Sequence, residues 1–252
     1  MPCHQATFRF YEELNDFLTV GKAKTAFSWR FEGHPSVKDV IEAIGVPHAE
    51  VDLILVNGQP VDFTCKLNDA DFVSVYPVFE SLDISTATHL CGRPLREMAF
   101  ILDVHLGKLA RYLRLFGFDV IYKTENDDNE IIRTALSEHR LILTRDVGLL
   151  KVKAVTHGYW IRSQQPKDQL REVLDHFDLY GMAYPFSRCV ACNSQLVEVE
   201  KASVMDRLEP LTKKYFDEFY LCSNCGGLFW KGSHYDRMSA FVAQVMDGHL
   251  SD

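Results

Sequence analysis

Polar and apolar residues alternate with a period of two in ATFRFYEE (residues 6–13) and KTAFSWRFEG (24–33), and such alternation predicts strands. The stretch SVKDVIEAIG (36–45) changes to the spacing of an amphipathic helix, with Ser36 placed to cap its first turn and Gly45 to end it. VDLILV (51–56) is a strand that leads into an Asn57-Gly58 turn, and DFVSVYPV (71–78) is a last strand. SLDISTATHLCGRPLREM (81–98) has no period and collects Ser, Thr, Gly and Pro, which predicts a linker.

From residue 99 the pattern alternates between strand and helix. AFILDV (99–104) is an apolar run with Asp103 at its end, followed by a helix in which Leu106, Leu109, Ala110, Leu113 and Phe116 recur before a stop at Gly117. FDVIYK (118–123) is a second strand, and NDDNEIIRTALSEHR (126–140) is a helix with an acidic first turn and Ile131, Ile132, Ala135 and Leu136 facing inward. RLILTRD (140–146) is a third strand ending in Asp146. After GYWIR, PKDQLREVLDHFDLYG (166–181) is a helix with Pro166 in its first turn and Leu170, Val173, Leu174 and Phe177 inward. Alternation of this kind implies a parallel sheet covered by helices, with functional sites at the carboxyl ends of the strands. The expected division is 1–80, a linker 81–98, an α/β domain 99–183 and a cysteine-bearing segment 184–252.

The order of elements in residues 1–80 fits a β-grasp domain, and the segment resembles the ubiquitin-like domain related to small sulfur-carrier proteins. Those carriers act through a free C-terminal Gly-Gly, whereas YPVFESLD here continues into the next segment without one. The resemblance therefore implies a docking or structural module, with a protein partner as its occupant.

Composition narrows the classes. Of 252 residues, 47% are hydrophobic and 25% charged, ordinary for globular domains, and no apolar run approaches the roughly 18–20 residues of a membrane helix. MPCHQATFRF lacks the basic and apolar regions of a secretory signal, so the expected location is cytoplasmic, with no membrane partner. A net charge of −8 argues against indiscriminate nucleic-acid binding, yet residues 99–162 carry 10 Lys and Arg against 8 Asp and Glu while residues 1–85 carry 6 against 13.

Carboxylates at the ends of separate strands repel one another unless a cation or a raised pKa compensates. Mg²⁺ or Mn²⁺ held by hard oxygen ligands can activate water and neutralise charge on a phosphodiester, which makes Asp103, Asp127, Asp128, Glu130 and Asp146 candidates for nuclease chemistry. Capping of the following helix is the structural alternative for each. Lys108, Arg111 and Arg114 follow Asp103 at intervals of three and suggest an RNA-backbone groove, with Arg145 beside Asp146 as a further contact. A solvated basic face has the same pattern. His157 is expected at a strand end.

Seven cysteines include two C-x-x-C pairs, Cys189/Cys192 and Cys222/Cys225, separated by 29 residues. Four thiolates at this spacing predict a closed tetrahedral zinc site of structural character. The intervening SVMDRLEPLTKKYFDEF is long enough for a helical excursion, and Cys3, Cys65 and Cys91 remain isolated thiols. Beyond the second pair, WKGSHYDRM gathers Trp230, Lys231, His234, Tyr235 and Arg237, residue types that contact phosphates and stack on unpaired bases.

Taken together, FILDVHLGKLARYLRLFGFDV, NDDNEIIRTAL, LILTRDVGLL and VTHGYWIR resemble the Mut-7 C-terminal RNase domain, a PIN-like family, over about residues 99–252 including the cysteine pairs. The family commonly carries a ubiquitin-like N-terminal extension. The resemblance implies a PIN-like three-layer parallel-sheet fold, a zinc-ribbon segment and metal-dependent cleavage of RNA, with Asp103, Asp128 and Asp146 as catalytic Mg²⁺ or Mn²⁺ ligands. Lys108, Arg111, Arg114, Arg145, Lys231 and His234 are the expected RNA contacts. One departure stands out: such nucleases usually have a fourth acid after the TRD segment, and VTHGYW has none. An RNA-binding adaptor with a degenerate site is the alternative this departure raises.

Overall fold

The computed structural model describes residues 3–77, 98–125 and 127–248. The linker expected over 81–98 lies outside the described residues apart from Met98, as does Cys91. Strand β1 (Cys3–Phe10), β2 (Phe27–Glu32), helix α1 (Val37–Ile44), β3 (Val51–Val56), β4 (Gln59–Val61) and β5 (Phe72–Pro77) build a sheet in the order β2-β1-β5-β3-β4. β1 pairs antiparallel with β2 and parallel with β5, setting Phe8 beside Val73 and Phe10 beside Val75. This is the β-grasp arrangement, in which the first and last strands meet in the middle.

Alternation explains the burial. Ala6, Phe8 and Phe10 of β1 join Val73 and Val75 of β5 and Val37, Val40 and Ile41 of α1 in one core, each side chain contributing on the order of 1.5–3 kcal/mol for the larger ones. Helix α1 begins with the expected cap: Asp39 N–H donates to Ser36 Oγ, and Ser36 N–H donates to the Asp39 carboxylate, both at 3.2 Å. The Ser36 hydroxyl also donates to Asp39, and this bond holds the Asp39 carboxyl below the usual carboxylate range.

The chain then alternates through β6 (Ala99–Leu102), α2 (Gly107–Leu115), β7 (Asp119–Ile121), α3 (Asp128–Glu138), β8 (Leu141–Thr144), α4 (Val147–Leu150), β9 (Gly158–Trp160) and α5 (Pro166–His176). β6 pairs parallel with β7, and β8 parallel with β9. Leu136 is a correction: it is 44% exposed, while Ile131, Ile132 and Ala135 are buried as the inner face of α3. The C-terminal segment holds β10 (Leu196–Val199), α6 (Lys201–Val204), α7 (Pro210–Tyr215), β11 (Phe219–Cys222), β12 (Leu228–Trp230) and α8 (Ser233–Gly248). β10, β11 and β12 form an antiparallel ribbon, and α6 and α7 occupy the helical excursion between the cysteine pairs.

These elements group into two compact units, one of the described residues up to 77 with 127–160, the other of 98–125 with 161–248. In the first, His48 is buried and its Nε2 donates to Val155 O at 2.8 Å while its Nδ1 lies 2.6 Å from Glu42 Oε1. Trp160 N–H donates to the buried Glu50 carboxylate, and the Phe17 and Trp160 rings lie 5.0 Å apart. The β-grasp domain is thus fastened to β9 and the loop before it by buried polar groups. In the second unit, Phe100 packs against Phe118 and Phe177, and Phe241 of α8 covers Tyr112 of α2 and the adjoining Phe116. Gly117 ends α2 with φ of +94°, and a Cβ there would lie 2.3 Å from Tyr184 O, so both its backbone conformation and its neighbour require glycine.

Candidate metal centre and acidic positions

Cys189, Cys192, Cys222 and Cys225 place their sulfurs within 4.8 Å of one another. The pairs Cys189–Cys225 and Cys192–Cys222 are 3.7 and 3.3 Å apart, close to the roughly 3.8 Å edge of a tetrahedron built on a Zn–S bond of about 2.3 Å. Both loops close in the same way. Cys189 N–H donates to Ser194 O and Asn193 N–H to Cys189 O; Cys222 N–H donates to Gly227 O and Gly226 N–H to Cys222 O, all at 2.8–2.9 Å. Asn193 and Gly226, each following the second cysteine of its pair, take φ of +74° and +70°. The donor set is soft and complete, so it fits a thiophilic ion with no open position. Burial pushes the Cys189 thiol up to about 12, whereas at Cys192 burial is outweighed by hydrogen bonds from Ser194 and the Cys222 thiol, which bring it down to about 6.

The first loop is fastened to the α/β elements of its own unit. Asn193 Oδ1 accepts from Val120 N–H and its Nδ2 donates to Asp119 Oδ1, both at 2.9 Å. Arg188 donates to Gly117 O and Asn193 O and pairs with Asp119 at 3.3 Å. Arg114 is only 5% exposed; its Nε and Nη2 donate to Val120 O at 3.0 and 2.8 Å, and its Nη1 donates to Val190 O and Ala191 O at 3.3 and 2.9 Å. Burial holds its pKa below the usual guanidinium value, opposed by the nearby Cys192 and Cys189. This corrects the expected groove: Arg114 points inward and binds carbonyls, while Lys108 and Arg111 are exposed on the other side of α2. The Asn193, Arg188 and Asp119 contacts had no signal in the sequence, because each is a common surface residue type whose role depends on tertiary proximity.

The acidic positions lie on short loops that follow strands. Asp103, 5% exposed, follows β6, and its Oδ1 accepts from His105 N–H at 2.8 Å. Asp146, exposed, follows β8, and its Oδ1 accepts from Gly148 N–H at 2.7 Å. Both are caps of the turn that follows, which fixes one oxygen of each carboxylate. A Cβ at Gly148 would approach Asp146 Oδ1 to 3.0 Å, so glycine leaves that carboxylate room. Asp127 caps α3 through Glu130 N–H, and Asp128, the first residue of the helix, is exposed, as is Arg133, which pairs with Glu130. Arg145 O accepts from the Trp160 indole, and His157 is half-buried with Nδ1 2.9 Å from Thr156 Oγ1. Asp103 belongs to one compact unit and Asp128, Arg145 and Asp146 to the other.

A separate feature of the second unit is a cleft of about 860 Å³ bordered by the segment after Gly117, the ribbon and the start of α8, with Lys231 and His234 on its wall. Lys231 pairs with Glu218 at 2.5 Å, which raises its pKa.

Parallel strand-helix pairs, a β-grasp sheet and a four-cysteine ribbon define an α/β protein with an appended ubiquitin-like module and a segment whose four cysteines fit a metal ion. The model of the Mut7-C RNAse domain matches residues 98–242, and that of the Mut7-C ubiquitin domain matches residues 3–83. The chain belongs to the Mut7-C RNase domain family. No curated protein matches it. The matched RNase region contains all four cysteines and every acidic position named above. Among the described residues no helix is long and apolar enough to cross a membrane.

Proposed function

We propose that the protein is a divalent-metal-dependent ribonuclease in which Asp103, Asp128 and Asp146 hold Mg²⁺ or Mn²⁺. Membership of an RNase domain family supports nuclease chemistry, and the observation that carries the metal reading is Asp103. Its carboxylate is 5% exposed and fixed through the His105 N–H at the carboxyl end of a parallel strand, the place where sites of such folds lie. When bound, the cation supplies charge neutralisation at the phosphodiester and activates water. The residues of the chain orient their oxygens through the His105 and Gly148 N–H bonds, and exposed Lys108 and Arg111 with half-buried Arg145 attract the backbone. The four cysteines hold a structural zinc.

The second reading is an RNA-binding adaptor, favoured by the lack of an acid in residues 155–160. Cleavage of single-stranded RNA with Mg²⁺ or Mn²⁺, measured for wild type, Asp103→Asn and Asp146→Asn, separates the two. The nuclease reading expects cleavage by wild type and a loss of at least about 100-fold in either variant, with metal-free melting temperature unchanged or raised because a repulsive charge is gone. Wild-type cleavage by a destabilised Asn variant ends the ligand reading, and an inactive wild type that binds RNA favours the adaptor.

A further inference from the structure

The cleft in the second unit has a composition unlike that of the chain as a whole. The protein carries 35 Asp and Glu against 27 Lys and Arg, yet among the described residues no carboxylate lines the cleft, whereas Arg188, Lys231 and His234 do. Its remaining surface is rich in aromatic rings. Tyr184 is 74% exposed and Trp230 36%, large faces left to solvent, while Phe186 is steadied by a ring contact of 4.6 Å with Tyr235. At about 860 Å³ the space falls within the roughly 300–1,000 Å³ of small-ligand sites.

We propose that this cleft is a stacking site for unpaired bases of the RNA substrate, with Tyr184 and Trp230 as platforms and Lys231 and His234 at the phosphates. The assignment rests on the reading of the chain as an enzyme acting on RNA and adds to it a second contact point beyond Asp103, at the other end of α2. A flat aromatic ligand with negative charge satisfies both properties of the cleft: every base has a π-face to stack, and the phosphate replaces Glu218 as the partner of Lys231. A proline-rich peptide would use the aromatic walls but gives no reason for the exclusion of carboxylates.

Placement within the unit supports the assignment. Asp103 precedes the N-terminal end of α2, and the cleft begins at Leu115 and Gly117 beyond its C-terminal end. The nine residues of α2 rise about 1.5 Å each, so the two places are about 13 Å apart along the helix. At about 3.4 Å per stacked nucleotide that span takes roughly four nucleotides. A strand of about a dozen nucleotides therefore reaches from Asp103 into the cleft with length to spare, whereas a dinucleotide stacked on Tyr184 and Trp230 uses both its bases there.

The test is fluorescence anisotropy without added divalent ion, using a labelled single-stranded oligonucleotide of about a dozen nucleotides and a labelled dinucleotide, alongside cleavage with Mg²⁺ or Mn²⁺. Tyr184→Ala is suitable because the ring is exposed and the backbone N–H keeps its bond to Phe116 O; its melting temperature is measured as a folding control. The expected result is an affinity for the long oligonucleotide about 5- to 100-fold weaker in Tyr184→Ala, with the advantage of long over short RNA reduced to match. Lys231→Glu should weaken binding as well and flatten its salt dependence. Equal binding by wild type and a folded Tyr184→Ala overturns the cleft, as does a wild type that captures a proline-rich peptide and no RNA. The ribonuclease reading is judged separately: a Tyr184-dependent binder that fails to cleave keeps the cleft and loses the nuclease, and cleavage untouched in length preference by Tyr184→Ala does the reverse.

Discussion

Replacing Arg114 by Met keeps most of the apolar stem and removes the guanidinium, so it isolates what the head group does. Four donor contacts to three carbonyls are lost, those of Val120, Val190 and Ala191. The consequences differ by site. Val120 is buried and its carbonyl loses both of its contacts to the guanidinium, a penalty of about 1–3 kcal/mol; Ala191 is exposed and Val190 half-buried, so water recovers most of the rest. Relief of the desolvated charge offsets part of the loss. The net expectation is about 1–3 kcal/mol of destabilisation, read from urea denaturation. Arg114→Lys should restore less than half, since one ammonium cannot span carbonyls that a planar guanidinium reaches together. If Arg114 were instead a phosphate contact, stability would stay within about 0.5 kcal/mol of wild type and the salt dependence of RNA binding would fall by about 0.7 in slope. That pair of results would refute the reasoning.

Metal analysis should find one zinc per chain, held by the four cysteines, and Cys192→Ser should lower both zinc content and melting temperature; zinc-free protein with four reduced, reactive thiols and an unchanged melting temperature would contradict it. His176 gives a pH test. Burial first and Arg162 second lower its pKa from 6.5 to about 4, so below about pH 6.5 the unfolded chain takes up a proton that the folded chain resists. Stability is therefore fully present above pH 6.5 and falls toward pH 4 by as much as about 3 kcal/mol from this group, a slope that His176→Phe should remove. Parallel denaturation profiles of the two proteins across that window would rule out the assignment.

Some features were legible because a single local rule decides them. The Ser36–Asp39 cap, the period-two burial of Phe8 and Phe10, and the cysteine spacing all follow from chemistry within a few residues or from one ion's geometry. Arg114 was not legible because Lys108, Arg111 and Arg114 share a spacing of three, which looks like one face. Each such step rotates about 60° around the helix, and two of them turn Arg114 by about 120°, from solvent to the interior. Leu136 erred in the opposite direction: its position beside Ile132 suggested burial, but the covering stops one turn earlier. The caps at Asp103 and Asp146 carry a different difficulty. A strand-end aspartate that accepts an N–H two residues on has the same sequence context whether or not it also holds a cation.

The four-cysteine segment and the strand that leads to Asp103 are mechanically connected through β7. Ala99, Phe100 and Ile101 of β6 pair with Asp119, Val120 and Ile121, and the same Val120 donates its N–H to Asn193 and accepts twice from Arg114 at its carbonyl. Both partners belong to, or reach, the first cysteine loop, whose shape depends on Asn193 at positive φ beside Cys192. A zinc ion on four thiolates is net negative, so metal loading also favours the charged Arg114 that burial alone disfavours. The four-cysteine cluster is thereby tied to the α/β elements of its unit through edge-strand hydrogen bonds and one buried cation. Within the family match spanning 98–242, the first cysteine loop and Arg114 of α2 together satisfy the Val120 groups that the edge of the sheet leaves open.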